Sequence, residues 1–103
     1  MTHIDLSGLK ILLTGASQGI GKVTAAYLMK MGAQVAVHYN SSKESAEDLV
    51  AAYKATNSKI FKADLDKEDE VVTLFDTVKK EFGVIDVVIL NASFTLSEFD
   101  SFK

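Results

Sequence analysis

The stretch Leu12-Leu13-Thr14-Gly15-Ala16-Ser17-Gln18-Gly19-Ile20-Gly21-Lys22 spaces three glycines as G-x-x-x-G-x-G. Glycine in such places permits a tight turn off a strand, lets backbone approach an anion with no Cβ in the way, and lets a helix lie close to a sheet. If a helix starts here, its first N–H groups and the positive end of its dipole favour a pyrophosphate. A second stretch, Val37-His38-Tyr39-Asn40-Ser41-Ser42-Lys43-Glu44-Ser45, sets Tyr39 and Lys43 four positions apart. That pair could share acid–base work only if both side chains lay one turn apart on one face of a helix. What either stretch does depends on the elements that carry it.

Those elements follow from the hydrophobic period. Leu9 to Thr14 is a short apolar run ending at the glycines, the pattern of a buried strand. Ile20, Val23, Tyr27, Leu28 and Met31 then repeat at helical spacing and predict the buried stripe of a first helix, with Gly32 at its stop. Val35 to Val37 form a second strand. Ser41-x-x-Glu44 has the form of a capping box, with Ser41 as N-cap and Ala46, Leu49, Val50 and Tyr53 as the buried stripe. Ile60 to Ala63 make a third strand, and Asp66 is placed to cap a third helix striped by Val71, Leu74, Phe75, Val78 and Phe82 and closed by Gly83. Val84 to Leu90, apolar at nearly every position, suits a strand covered on both faces. Thr95-x-x-Glu98, with Leu96, Phe99 and Phe102, starts one more helix.

Strands alternating with helices imply parallel pairing through right-handed crossovers. The expected fold is therefore α/β: a Rossmann-type doubly wound parallel sheet of four strands in order 3-2-1-4, with a flavodoxin-like open sheet as the alternative. Residues 1–103 form a single NAD(P)-binding half-domain in this reading. The last strand would be a bare edge and the last apolar stripe stops after about two turns, so a longer chain or a partner is expected to complete the sheet.

In that frame Tyr39 leaves the second strand and Lys43 enters the next helix. The spacing is thus not a catalytic pair, and Tyr39, Asn40, Ser41 and Ser42 are expected at the adenosine end of a dinucleotide. No acid stands between His38 and Lys43. A carboxylate there would grip ribose hydroxyls and repel a 2′-phosphate, whereas neutral donors and a nearby ammonium accept one, so NADP is expected over NAD. His3 and His38 are expected to be ordinary tail and strand residues.

Thr14-Gly15-Ala16-Ser17-Gln18-Gly19-Ile20-Gly21 resembles the TGxxxGxG cofactor motif of the short-chain dehydrogenases/reductases, of the 3-oxoacyl-ACP-reductase-like type. Ala63-Asp64-Leu65 is similar to the family's step that contacts adenine. Val84-Ile85-Asp86-Val87-Val88-Ile89-Leu90-Asn91-Ala92-Ser93 resembles the segment that usually ends Asn-Asn-Ala-Gly, with Leu90 in place of its first Asn and Ser93 in place of its Gly. The resemblance implies a cofactor site of Gly15, Ser17, Gln18, Gly19, Ile20, Gly21, Asp64, Leu65, Asn91, Ala92 and Ser93. It also implies hydride transfer between a nicotinamide and an alcohol or carbonyl. The family's catalytic serine, tyrosine and lysine lie beyond the fourth strand, so no catalytic residue is expected within these 103 residues. The portion should bind cofactor and be inactive by itself; a non-catalytic nucleotide-binding or sensor module working as a homo-oligomer is the other reading.

The bulk numbers agree with a globular chain. It is 48% hydrophobic and 24% charged with mean hydropathy +0.15, net charge −3 and a pI near 5.2. An acidic balance gives no footprint for nucleic acid, and the scattered lysines make no membrane patch. The absence of cysteine removes disulfides and thiolate metal sites from this chain and tilts the expectation toward the cytoplasm. No His/Asp/Glu cluster has metal-site spacing, so no metal is expected.

Overall fold

The computed structural model describes residues 4–91. The expectations for Ala92, Ser93 and the Thr95 to Phe102 helix lie outside the described residues. Four short strands alternate with three helices: β1 (Lys10–Leu13), α1 (Gly19–Lys30), β2 (Gln34–Tyr39), α2 (Lys43–Ala51), β3 (Lys59–Lys62), α3 (Glu68–Phe82) and β4 (Val87–Ile89). A one-turn 3₁₀ helix, Lys54–Thr56, precedes β3 and ends on Asn57 in the left-handed region. All pairings are parallel and the order is β3-β2-β1-β4, the expected doubly wound half.

Period-two alternation divides the core between the two faces. Ile11, Leu13, Val35, Val37 and Tyr39 point to one side, where Ala25 and Met29 of α1 and Ala46 and Leu49 of α2 cover them. Leu12, Ala36, Phe61 and Ala63 point to the other, against Leu74, Val78 and Phe82 of α3. Phe61 and Phe82 meet edge to face with centroids 5.9 Å apart. The α3 stripe is the predicted one, with Leu74, Val78 and Phe82 buried and Val71 and Phe75 half-buried.

Several local expectations are corrected. The buried face of α1 is Gly21, Ala25 and Met29, while Ile20, Val23 and Tyr27 stand exposed. Small residues seat that helix against the sheet, so the bulkier apolar ones turn outward. Ser42, not Ser41, is the N-cap of α2, and its side chain makes no capping bond. Lys67, not Asp66, caps α3; the Asp66 N–H instead donates to the Asp64 carboxylate at 3.0 Å, a local turn that competes with a cap. β4 is only three residues long, and Val87 and Val88 are exposed on its faces rather than covered. Among the described residues no helix is long and apolar enough to cross a membrane.

Candidate functional site

β2 and β3 lie on one side of β1 and β4 on the other, so the strand order reverses between β1 and β4 and leaves a crevice at their C-terminal ends. Open α/β sheets bind ligands in the crevice at such a reversal. Two backbone features meet there. The Thr14 N–H donates to the Ile89 carbonyl at 3.0 Å, continuing the β1–β4 ladder beyond the strands. Asn91 then ties the crevice shut: its N–H donates to Thr14 Oγ1 at 3.0 Å and its side-chain Nδ2 to the Gly15 carbonyl at 3.1 Å.

The three glycines have separate physical reasons. Gly15 turns the chain at φ +63°, and a Cβ there would come within 2.7 Å of the Asn91 carbonyl. A Cβ on Gly21 would run into the Gly15 carbonyl and the Asn91 amide, so only glycine lets the first turn of α1 sit on the loop. Gly19 also needs a positive φ of +56°, but a Cβ built there meets nothing within 4 Å. The space over Gly19 is therefore open, at the start of a helix that no side chain caps and that holds no acid in its first turn. First-turn N–H groups have no helical acceptor and carry the positive end of the dipole.

The loop is fastened to the β2–α2 segment by a set of side-chain bonds. Gln18 Nε2 donates to Ser42 Oγ at 2.6 Å, Lys22 Nζ to Ser45 Oγ at 3.0 Å, and Ser45 Oγ to the Ser17 carbonyl at 2.7 Å. Beside them lies a shallow cavity of about 480 Å³ lined by Lys22, Ser41 to Ser45 and Asp48. Two ammoniums, two carboxylates and three hydroxyls thus share this shelf. Lys43 also stands 3.9 Å from Glu47, an exposed pair that holds it weakly.

Gly15, Ser17, Gln18, Gly19, Ile20 and Gly21 are together in the loop and first turn, with Asn91 against them; Ser42 is joined to them through Gln18, and Asn40 and Ser41 precede it between β2 and α2. Asp64 and Leu65 follow β3; the Asp64 N–H donates to Glu70 Oε1 at 2.9 Å, which fixes that turn, and Leu65 is exposed. Tyr39 is the exception. Its ring is buried in the α1/α2 core as the third of the alternating set Val35, Val37, Tyr39, so it does not offer its side chain to the shelf. Lys43 is the first residue of α2 and exposed, and the tyrosine–lysine spacing is confirmed as no pair on a helix face. Among the described residues no group of three or more His, Cys, Asp or Glu side chains could hold a metal ion.

Three residues of this site were missed in the sequence. Lys22 lies one helical turn after Gln18, and Ser45 three positions after Ser42, so each spacing carried a same-face signal. His38 is the third. Its buried ring accepts the Gly15 N–H on Nδ1 at 2.8 Å and sets Nε2 2.8 Å from the Ala63 carbonyl. Burial pulls the imidazole below its ordinary 6.5, against the Ala63 hydrogen bond, which raises it. A lone histidine in a strand gives no such signal, because its partners come from β1 and β3.

Comparison with known proteins places this arrangement. Residues 10–103 match the family described as short chain dehydrogenase. The chain is 42% identical over 93 residues to a hydroxynaphthalene reductase-like protein, Arp2, of Metarhizium guizhouense, covering 88% of this chain and 35% of that protein. It is 43% identical over 89 residues to the short-chain dehydrogenase/reductase GME11373 of Pestalotiopsis microspora. Among solved structures it is similar to a dehydrogenase of Burkholderia cenocepacia with bound NADP, with TM-score 0.78 and 32% identity over 98% of this chain and 43% of the other. It is also similar to the reductase LugOII, which catalyses a keto-reduction in lugdunomycin biosynthesis, with TM-score 0.72 and 33% identity over 91% of this chain and 40% of that one. The chain spans about a third of the length of the curated relatives it matches. By sequence and by fold, the chain belongs to the short-chain dehydrogenase family.

Proposed function

We propose that this chain is the NADP(H)-binding portion of a short-chain oxidoreductase that moves hydride between a nicotinamide cofactor and an alcohol or carbonyl, and that it has no turnover by itself. The observation that carries the reading is the open space over Gly19 at the uncapped, acid-free start of α1, set where the strand order of the sheet reverses. A pyrophosphate there would accept the first-turn N–H groups of Gly19, Ile20 and Gly21. By the family resemblance, Asp64 and Leu65 would contact adenine and Asn91 the nicotinamide ribose. The cofactor supplies the hydride; what the described residues do is bind and orient it.

NADP is favoured over NAD by the shelf. Lys22 and Lys43 supply cations and Ser41 and Ser42 supply donors for a 2′-phosphate, while Asn40 puts a neutral amide where a carboxylate would select ribose hydroxyls. Glu44 and Asp48 line the same cavity from α2, as Lys43 does, so the selection rests chiefly on the neutral end of β2. The test is thermal unfolding of the chain with and without NADP. A ligand at a hundredfold excess over its Kd stabilises by about 2.7 kcal/mol, which raises Tm by roughly 10–20 °C for a domain of this size. An unchanged Tm with millimolar NADP overturns the reading, and steady-state carbonyl reduction by the chain alone overturns its second half.

A further inference from the structure

His38 sits where three strand ends converge, and its two partners leave it one protonation state. The Gly15 N–H can only donate, so Nδ1 must be the bare nitrogen; the Ala63 carbonyl can only accept, so Nε2 must carry the hydrogen. Protonation would place a second hydrogen on Nδ1, facing the Gly15 N–H across 2.8 Å, and turn a bond into a repulsion. Gly15 is the pivot of the loop: its carbonyl is held by Asn91 and blocks any side chain at Gly21, and its φ is positive. We propose that His38 is a positioning residue for the cofactor loop, a clasp that holds Gly15 in place only while the imidazole is neutral, so that acid loosens the loop and weakens dinucleotide binding. This rests on the cofactor reading above for its consequence, but not for the clasp itself.

The surroundings bear on the sign. By alternation His38 shares the face of Ala36, toward α3. β1 is followed there by Thr14 and Gly15, and β4 by Leu90 and Asn91, all uncharged. The loop and α1 carry Lys22, and the start of α2 carries Lys43 and Glu44. On the Ala63 side stand Asp64 and, on α3, Glu70, whose carboxylate is taken up by the Asp64 N–H at 2.9 Å and by Lys67 at 3.6 Å. Burial outweighs the Ala63 bond, so the neutral form holds at pH 7. A second link, the Ala16 N–H to the His38 carbonyl at 3.0 Å, does not titrate and keeps the loop from leaving altogether.

The experiment follows the isotope-labelled chain by NMR from pH 8 to pH 5 without cofactor. The expected result is a His38 ring hydrogen on Nε2 alone at neutral pH, and a Gly15 amide shift that titrates with the His38 midpoint, below 6.5. A Gly15 amide indifferent to that midpoint, or a ring hydrogen on Nδ1, overturns the clasp whether or not NADP binds. The second arm measures affinity for NADP and NAD against pH in the parent, His38→Asn and His38→Leu. An asparagine oxygen can accept the Gly15 N–H and does not titrate; leucine leaves it without an acceptor.

Below the His38 midpoint the parent should lose affinity, by up to about tenfold per pH unit, for NAD as well as NADP. The 2′-phosphate titrates near pH 6 on its own account, so NAD isolates the imidazole. His38→Asn should lose that slope toward NAD and bind more tightly than His38→Leu. Equal slopes in parent and His38→Asn overturn the proposal. Failure of all three to bind either dinucleotide at any pH refutes the cofactor reading and with it the proposed effect on binding.

Discussion

At the scale of single residues, glycines 19 and 21 should separate binding from stability. Gly21→Ala forces a methyl into the Gly15 carbonyl and should cost about 1–3 kcal/mol of stability, read by urea unfolding. Gly19→Ala meets no atom and should cost only about 1 kcal/mol for its positive φ, yet it fills the space where the pyrophosphate would approach. NADP affinity should therefore fall at Gly19→Ala out of proportion to stability; a parallel loss at both glycines would place the ligand elsewhere. Asn40→Asp should shift preference toward NAD, and an unchanged ratio of the two affinities would remove Asn40 from the selector. The tight turn at Gly15 and a close approach at Gly21 were legible in the sequence because each answers to a local backbone need, although the approach at Gly21 is to the Gly15 carbonyl and the Asn91 amide. The positions of Tyr39 and His38 were not, because the strand's alternation sends one ring into the α1/α2 core and the other between two neighbouring strands.

At the scale of elements, the order of strands and helices could be read from the change of hydrophobic period, and α3 is the clearest case. Its stripe faces one sheet surface with no competitor, and Leu74→Ala should cost about 2–5 kcal/mol. α1 is the instructive failure. Its apolar residues include two sets at helical spacing, and packing distance chose the smaller one: Gly21, Ala25 and Met29. Val23 is 57% exposed on the other face, so Val23→Ala should change the stability of this chain by no more than about 0.5 kcal/mol. A large loss there would mean that α1 is seated by its bulky stripe after all. The expected caps Ser41 and Asp66 each fell one residue short of the helix, since α2 starts after Ser42 and α3 after Lys67, and the Asp66 N–H is held in a local turn by the Asp64 carboxylate.

At the scale of the whole molecule, the C-terminal ends of the strands bring together the reversal of strand order, the start of α1 and the polar shelf; His38 ties the loop to the end of β2 and to Ala63, and the Gln18–Ser42, Lys22–Ser45 and Ser45–Ser17 bonds tie it to the shelf. That network also sets the acid response of the fold. A histidine kept neutral by burial has its folded pKa below 6.5, so its share of stability is complete above pH 6.5 and is lost as pH falls toward the folded value. The parent should lose stability over that window in urea titrations, and His38→Asn should lose less. The family was legible because its signals are contiguous and sequential; a substrate was not, since this chain spans about a third of the length of its curated relatives. The central claim is most directly tested by calorimetric titration of the chain with NADP at pH 7.5, with NAD in parallel. One saturable site with NADP bound more tightly than NAD is the predicted result; no saturable heat with either dinucleotide would contradict the account.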